Sequence, residues 1–338
     1  MKKTMMMFFF VIVLFVPVAQ SQIVEPLKRI QTIPMPGLHD GDFDHFAVDV
    51  ENHRLFLTAE ENSAVEVFDL RTNKLMHTIT GPNTPHSMVY RADVKKLFVV
   101  DGEGDVKIYE TDSYKPVGSI KLTEGADSSV FDPSTKYMYV TTGGKDAHLP
   151  YTFISVVDTT AGKKLTDIKF DTDTVEAMAV EKSGPRLFVN ITGKDAIAVI
   201  DRKKLTVIAN WYIGEEGKRN AAMAFDEANH RLFVVARRPG KLIVLDSDSG
   251  KIIDSLTCVG MTDDAVYDPG TKRIYVAGVP FLYVFEQRNP NNYQLLGQVP
   301  TAFHSVTGIL VPELHQYYVA APHHGDTQAE VQIYQVVP

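Results

Sequence analysis

The residues best suited to chemistry are concentrated in one segment, HDGDFDHFAVD, which runs from His39 to Asp49. It holds two histidines and four aspartates within eleven residues. Carboxylates and imidazoles are the donor groups of many divalent-metal sites and of acid–base catalysis. The same composition also suits a polar loop that leads into a β-strand. The choice depends on where the segment lies in the fold and on whether the rest of the chain repeats it.

A short motif does recur along the chain. It consists of a basic or polar residue, two apolar or aromatic residues and usually valine, as in RLFL, KLFV, YMYV, RLFV, RIYV and QYYV. Successive copies are 41 to 49 residues apart, which is a typical period of a repeat architecture. The first apolar position of the motif falls at seven places: Leu55, Leu97, Met138, Leu187, Leu232, Ile274 and Tyr317.

Each repeat has the pattern of β-strands. A short apolar strand and a polar turn precede the motif, as in FAVDVENHR, and two further strands follow it in most repeats, as in AVEVFDL and KLMHTIT. Alternating apolar residues between Asp, Gly, Asn and Pro turns predict β-structure. Four strands in a repeat of about 40 to 45 residues predict a propeller blade. We therefore expect an all-β fold, a seven-bladed β-propeller with four-stranded antiparallel blades.

The last repeat has three strands only, and the N-terminal strand LKRIQTIPM (Leu27 to Met35) can supply the fourth. Pairing IQTI with VQIY would close the ring and leave no free sheet edge there. A single domain is expected over residues 22–338. Its blades are predicted at about 43–80, 85–122, 126–170, 175–213, 219–256, 262–299, and 303–337 plus 27–35.

At this level the sequence resembles the YVTN-type β-propeller repeat family, the YncE-like proteins of bacterial envelopes. The resemblance rests on RLFVNITGKDAIAVIDRKKLTVI, RLFVVARRPGKLIVLDSDSGKII, TDDAVYDPGTKRIYVAG and VPELHQYYVAAPHHG, and it covers nearly the whole chain after the first 21 residues. It implies the propeller fold and no catalytic signature, because the family shares none. The Pro-His/Gly step common at the start of the family's blades is present only in TPHSMVY, and the other blades depart from it.

The first 21 residues are expected to be a cleavable signal peptide. Lys2 and Lys3 precede an apolar run from Met5 to Val18, and Ala19-Gln20-Ser21 provides small residues for cleavage near Ser21. The run is too short for a typical membrane helix, so we expect a periplasmic or secreted protein with no membrane span after signal removal. One cysteine, Cys258, allows no internal disulfide, and a buried thiol is expected.

Charge argues against a nucleic-acid partner. Removing residues 1–21 takes away two lysines and no acid, which leaves 32 basic and 42 acidic residues. A chain this acidic, with no tract rich in lysine or arginine, is a poor neutraliser of phosphates. We expect a monomer, with either a small molecule or a protein as partner.

Aligning the repeats predicts a polar ring at one mouth of the central channel. Eleven residues before the aligned apolar position, five of seven blades carry an acid or histidine where a buried strand begins, while Ala221 and Val306 stand in the other two. His304, two residues before Val306, falls on the same side. The ring is therefore predicted to consist of Asp44, His86, Asp127, Glu176, Asp263 and His304, with His39, His148, Arg237, Arg238 and His323 on nearby loops.

Three interpretations of this ring stay open. Its polar groups can merely solvate backbone and turns, they can bind a ligand or protein, or they can hold a divalent cation. No cofactor is predicted, and a cation remains an open alternative. We favour a non-catalytic binding scaffold that uses the channel-mouth face. A metal-assisted lactonase or hydrolase is the alternative, and a nucleic-acid binder using Arg237 and Arg238 is the interpretation favoured least.

Overall fold

The computed structural model describes residues 25–338, so the expected signal peptide lies outside the described residues. The chain forms seven four-stranded antiparallel sheets, each built from consecutive strands except the last. This is the seven-bladed β-propeller that the repeats predicted. No helix in the described part is long and apolar enough to cross a membrane.

The blades follow one another along the chain, and each begins at the channel and ends at the rim. Blade 1 consists of β2 (Phe43–Asp49), β3 (Arg54–Ala59), β4 (Ala64–Asp69) and β5 (Lys74–Thr80). Blade 2 consists of β6 (Pro85–Arg91), β7 (Lys96–Asp101), β8 (Asp105–Glu110) and β9 (Pro116–Lys121). Blade 3 consists of β10 (Ser129–Asp132), β11 (Tyr137–Gly143), β12 (Thr152–Asp158) and β13 (Lys163–Phe170).

Blades 4 to 6 have the same order. Blade 4 consists of β14 (Met178–Val180), β15 (Arg186–Ile191), β16 (Ala196–Asp201) and β17 (Thr206–Tyr212). Blade 5 consists of β18 (Lys218–Asp226), β19 (Arg231–Arg238), β20 (Gly240–Asp246) and β21 (Ile252–Thr257). Blade 6 consists of β22 (Ala265–Asp268), β23 (Arg273–Val276), β24 (Phe281–Asn289) and β25 (Asn292–Pro300).

Blade 7 joins the two ends of the chain. It contains β26 (Gly308–Val311), β27 (Gln316–Ala321), β28 (Ala329–Val336) and the N-terminal strand β1 (Leu27–Met35), in the order β1-β28-β27-β26. Gln31 pairs with Ile333 and Ile33 with Val331, which is the predicted pairing of IQTI with VQIY. The predicted ring closure is therefore confirmed.

Burial falls from the middle of each blade to its rim. Every residue of β3 is buried, whereas β5 exposes all of its residues except Ile79. The core lies between neighbouring blades: Phe56 and Val67 of blade 1, for example, pack in one cluster with Leu97 and Val99 of blade 2. Since each sheet covers the face of the next, the central strands are apolar on both sides, as the RLFV-type motifs require.

The outer strand of every blade contains one unpaired residue, where its register with the neighbouring strand shifts by one. Such a β-bulge bends an edge strand, and a bent edge is a poor template for pairing with another chain. The seven bulged residues are Ile30, Met76, Val117, Leu165, Ile208, Ile253 and Leu296.

Arginines join neighbouring blades on the face opposite the channel mouth. Arg54 of blade 1 pairs with Asp49 at 2.6 Å and also donates to the carbonyl oxygen of Thr111 in blade 2. Arg91 of blade 2 donates to Thr159 Oγ1 of blade 3 at 3.0 Å. Because these arginines are buried and bonded, they contribute to the alignment of one blade against the next.

Candidate functional site: the channel-mouth cavity

The six residues of the predicted ring line one cavity of ≈ 1000 Å³. They come from blades 1, 2, 3, 4, 6 and 7, and blade 5 contributes the apolar residues Ala221 and Met223 instead. Of the predicted loop residues, Arg237 also lines the cavity. His39, His148, Arg238 and His323 do not line it. The structure thus brings the aligned positions together, and whether they bind a ligand is a separate question.

Bulges at the start of β2 and β6 aim adjacent side chains at the cavity. In β2 the register with β3 shifts between Phe43 and Phe46, and Asp44 and His45 lie within this shift. In a regular strand two adjacent side chains would point to opposite faces, but a bulge places both near one side. Both Asp44 and His45 consequently line the cavity. A matching shift in β6 follows Pro85.

Carboxylates and imidazoles alternate around part of the cavity wall. Asp264 Oδ1 lies 3.1 Å from His45 Nδ1, and His45 Nε2 lies 3.3 Å from Asp44 Oδ1. Asp44 Oδ2 then accepts from His86 Nδ1 at 2.7 Å, and His86 Nδ1 is 3.8 Å from Asp127 Oδ1. The five groups form a carboxylate–imidazole chain that spans blades 6, 1, 2 and 3. At one end Asp264 Oδ2 accepts from the Gly308 N–H at 3.0 Å.

The chain has strongly perturbed acidities at its centre. Burial acts to raise the pKa of Asp44, but His45 and His86 outweigh it and hold this pKa at about 2. Burial acts to lower the pKa of His86, but the hydrogen bond with Asp44 and its charge raise it to about 10. The pKa of His45 is raised well above its usual value, since Asp44 and Asp264 outweigh the effect of burial. Both imidazoles are therefore cationic at neutral pH, and they compensate the carboxylates on either side.

Other carboxyl groups in the cavity keep protons more readily than usual. Burial raises the pKa of Glu60 to about 7. Burial and the charge of Asp127 raise the pKa of Glu176 to about 7, and burial raises the pKa of Asp263 to about 6. The pKa of Asp127 is also raised, by burial and by the charge of Asp44. The cavity can accordingly present both carboxylate acceptors and protonated carboxyl donors near neutral pH.

Arg237 of blade 5 provides a positive charge beside two of these carboxyl groups. Its guanidinium contacts the Asp263 carboxylate and the carbonyl oxygen of Thr262, and it lies 3.9 Å from Glu176 Oε1. The neighbouring Arg238 is exposed. Arg237 therefore neutralises part of the acid around it instead of forming an unpaired anion site.

Alternate aspartates of the HDGDFD segment each contact a histidine from outside it. Asp40 contacts His323 Nδ1, Asp42 Oδ1 lies 2.7 Å from His304 Nδ1, and Asp44 takes the bond from His86. The segment consequently joins blade 7 to blade 2 across the start of blade 1.

Two of the predicted loop histidines have local roles instead. His39 is exposed, with its backbone N–H bonded to Asn62 Oδ1 at 3.0 Å and its Nδ1 2.8 Å from the Asp40 carbonyl oxygen. His148 is exposed in a left-handed conformation at the end of a 3₁₀ turn after β11.

Several polar residues of the lining were not among the predicted ring residues, and four of these take part in carboxylate–imidazole contacts: Asp42, His45, Glu60 and Asp264. Glu60 follows β3, and the connection after the second strand of a blade lies at the same mouth as the connection between blades. Loop position could therefore have indicated it. His45 and Asp264 directly follow ring residues, and strict alternation along a strand would have placed them on the other side.

One subset has the geometry of a metal site. Asp44, His86 and Asp127 each offer a donor atom, and the three atoms lie within 4.8 Å of one another. One imidazole nitrogen and two carboxylate oxygens form a donor set used for several divalent metals.

Comparison with known proteins shows the fold alone. No family model and no curated protein matches the chain. A solved structure of hydrazine synthase from Kuenenia stuttgartiensis superposes with a TM-score of 0.71 at 16% identity, covering 85% of this chain and 96% of that one. A chain of a mitotic checkpoint complex superposes with a TM-score of 0.74 at 12% identity, covering 98% of this chain and 99% of that one. The chain shares the propeller architecture with both, and at such identities the likeness extends no further than fold.

Proposed function

We propose that this protein is an exported binding protein that takes a small cationic or hydrogen-bond-donating ligand in the channel-mouth cavity. The main observation is that the six aligned polar residues converge on one cavity of ≈ 1000 Å³. Sites for small molecules are concave and have volumes of about 300 to 1000 Å³, with a few convergent polar groups. The size and the convergence both support a ligand site.

The charge of the lining supports the class of ligand. Carboxyl groups outnumber basic groups on the wall formed by blades 1 to 4, where Lys121 and Lys145 also line the cavity. The charge of Arg237 is already shared with Asp263 and Glu176. An anion would meet this excess of acid, whereas an ammonium group or a polyol can donate to it. Small amines, amino sugars and polyols are therefore the ligands that the cavity suits.

Binding without catalysis is favoured by the surroundings of the hydroxyl groups. Ser87 Oγ, on the cavity wall beside His86, donates to the backbone oxygen of Asp127 and lies 2.8 Å from Ser129 Oγ. A serine nucleophile needs a hydrogen bond to a general base. The alternative, a metal-assisted hydrolase, is favoured by the Asp44, His86 and Asp127 donor set, which could hold an ion that activates water.

Thermal-shift measurements on the mature protein test the proposal. Spermidine, glucosamine and sorbitol should raise Tm in a saturable way, and citrate and sulfate should not. The double substitution Asp127→Asn with Glu176→Gln should abolish the shift, and its Tm without ligand should not be lower than that of the wild type. A matched control is Asp112→Asn with Glu313→Gln, two exposed acids far from the cavity lining. Equal shifts in both double variants, or a response to the anions alone, would contradict the proposal.

A further inference from the structure

Three donor atoms from three successive blades approach a common point. His86 Nδ1 lies 2.7 Å from Asp44 Oδ2 and 3.8 Å from Asp127 Oδ1. Ligand atoms held about 2.1 Å from a tetrahedral or octahedral ion are separated from each other by about 3 to 3.5 Å. All three donor atoms lie within 4.8 Å of one another, so side-chain rotations that move each atom by about an ångström would bring them to one ion.

Asp127 is the donor whose carboxylate is left free. Its backbone is held, since its N–H donates to the Thr141 carbonyl at 3.0 Å and its carbonyl accepts from Ser87 Oγ. Its carboxylate oxygens accept no hydrogen bond from any residue between 25 and 338, and the side chain is 31% exposed to the cavity. A positioned backbone with an uncommitted carboxylate is the arrangement expected of a ligand residue.

Groups around the three donors are arranged to orient them. The other imidazole nitrogen, His86 Nε2, faces Glu60 Oε1 at 3.8 Å, and the other carboxylate oxygen of Asp44 faces His45 Nε2 at 3.3 Å. Histidines that bind metals commonly donate from their second nitrogen to a carboxylate, and Glu60 faces that nitrogen at a distance longer than a hydrogen bond. Gly102 makes room for the imidazole, because a Cβ there would lie 3.0 Å from His86 Nε2.

We propose that Asp44, His86 and Asp127 bind one divalent transition-metal ion, with the Nδ1 proton of His86 released to solvent on binding and the remaining coordination positions open to the cavity. One imidazole and two carboxylates suit Zn²⁺ or Mn²⁺ better than Mg²⁺ or Ca²⁺, which prefer oxygen ligands alone. This inference rests on the proposed function of the cavity as a ligand site, and it assigns a metal to that site.

Equilibrium dialysis with metal analysis, together with calorimetric titration of EDTA-treated mature protein with ZnCl₂ and MnCl₂, tests the site. We expect one equivalent per chain, and Asp127→Asn and His86→Gln should each weaken the Kd at least about 10-fold. His230→Gln is the matched control, since His230 forms a carboxylate pair of 3.1 Å with Asp248 away from the cavity. When Co²⁺ replaces Zn²⁺ or Mn²⁺, the wild type should show d–d absorption that Asp127→Asn lacks. Circular dichroism should confirm that each variant is folded.

Two results would overturn the site: substoichiometric binding by the wild type, or binding that Asp127→Asn and His86→Gln leave unchanged. The thermal shift with spermidine in the presence of EDTA separates this failure from that of the proposed function. If spermidine gives a saturable shift in EDTA but the protein binds no metal, the ligand site is supported and the metal site is rejected. Absence of both responses rejects the site and the proposed function together.

Discussion

His86 Nδ1 donates to Asp44 Oδ2 at 2.7 Å, so that the first strand of blade 2 is bonded to the first strand of blade 1 at the channel mouth. The two side chains are 18% and 15% exposed. Their charges also determine the state of their neighbours, because Asp44 contacts His45 and His86 faces Asp127 and Glu60. The pair is therefore the centre of the polar network in the cavity.

Replacing His86 should destabilise the protein measurably. His86→Ala leaves Asp44 with His45 as its one remaining cationic partner among the described residues. For a pair this well shielded from water we expect a loss of about 2 kcal/mol in the free energy of unfolding, measured by urea titration at pH 7. His230→Ala breaks a pair whose side chains are 56% and 57% exposed, and it should cost much less. Equal losses in the two variants would contradict the prediction.

Removing the N-terminal strand should be far more damaging. A chain that begins at Gly37 lacks Leu27, Ile33 and Met35, which are buried against blade 7 and its neighbours. Burial of three such side chains contributes about 5 kcal/mol, and β28 would also lose its outer partner. Differential scanning calorimetry should show a large drop in Tm relative to a chain that begins at Glu25. Equal melting of the two chains would mean that β1 contributes nothing to stability.

Glu176 should make stability fall as pH rises. Its pKa is about 7 in the folded protein, above the value of 4.5 expected in the unfolded chain. Ionisation therefore costs folding free energy increasingly between about pH 4.5 and 7, and the cost stays constant above that range. Glu176→Gln removes this cost. The free energy of unfolding of the variant minus that of the wild type should therefore be larger at pH 8 than at pH 4.5, by at least about 1 kcal/mol.

A carboxylate with the opposite shift provides the control for this pH dependence. The hydrogen bond from Lys241, at 2.9 Å, lowers the pKa of Glu216 below its usual value. Its stabilisation is present above the unfolded pKa and is lost as pH falls through the folded one. Glu216→Gln should thus be slightly less stable than the wild type at pH 8 and should approach it in acid. If both variants change in the same direction with pH, the assignment of Glu176 is wrong.

The arginines between blades should be more important for stability than surface ion pairs of similar geometry. Arg54→Met leaves the Asp49 carboxylate, which is 1% exposed, without its cation and removes the contact with Thr111. We expect a loss of about 3 kcal/mol by denaturant titration. Arg71 pairs with Asp69 at 3.0 Å but is 66% exposed, so Arg71→Met should cost much less than Arg54→Met. A small effect of Arg54→Met would mean that its guanidinium is dispensable to the alignment of the blades.

The repeat pattern was sufficient to predict the fold and which strand closes the ring. Motifs such as RLFV place apolar residues on both sides of a strand, and that pattern requires covering sheets on both faces. Strand β1 was identifiable because the last repeat lacked a fourth strand. The bulges of the outer strands were not predicted, because a bulge is defined by the register against the neighbouring strand, which the sequence of the outer strand alone does not show.

The sequence by itself determined the seven repeats, the strands, their closure and the aligned positions whose side chains meet at one channel mouth. Those features depend on a local periodicity that can be recognised in the amino-acid sequence. Only the tertiary structure decided that His45 joins Asp44 at the cavity, that Asp264 and Glu60 complete the network, and that His148 and Arg238 do not take part. The physical reason is that a bulge reverses the direction of a side chain, and that ion pairs between residues 219 positions apart, such as His45 and Asp264, depend on how the blades pack.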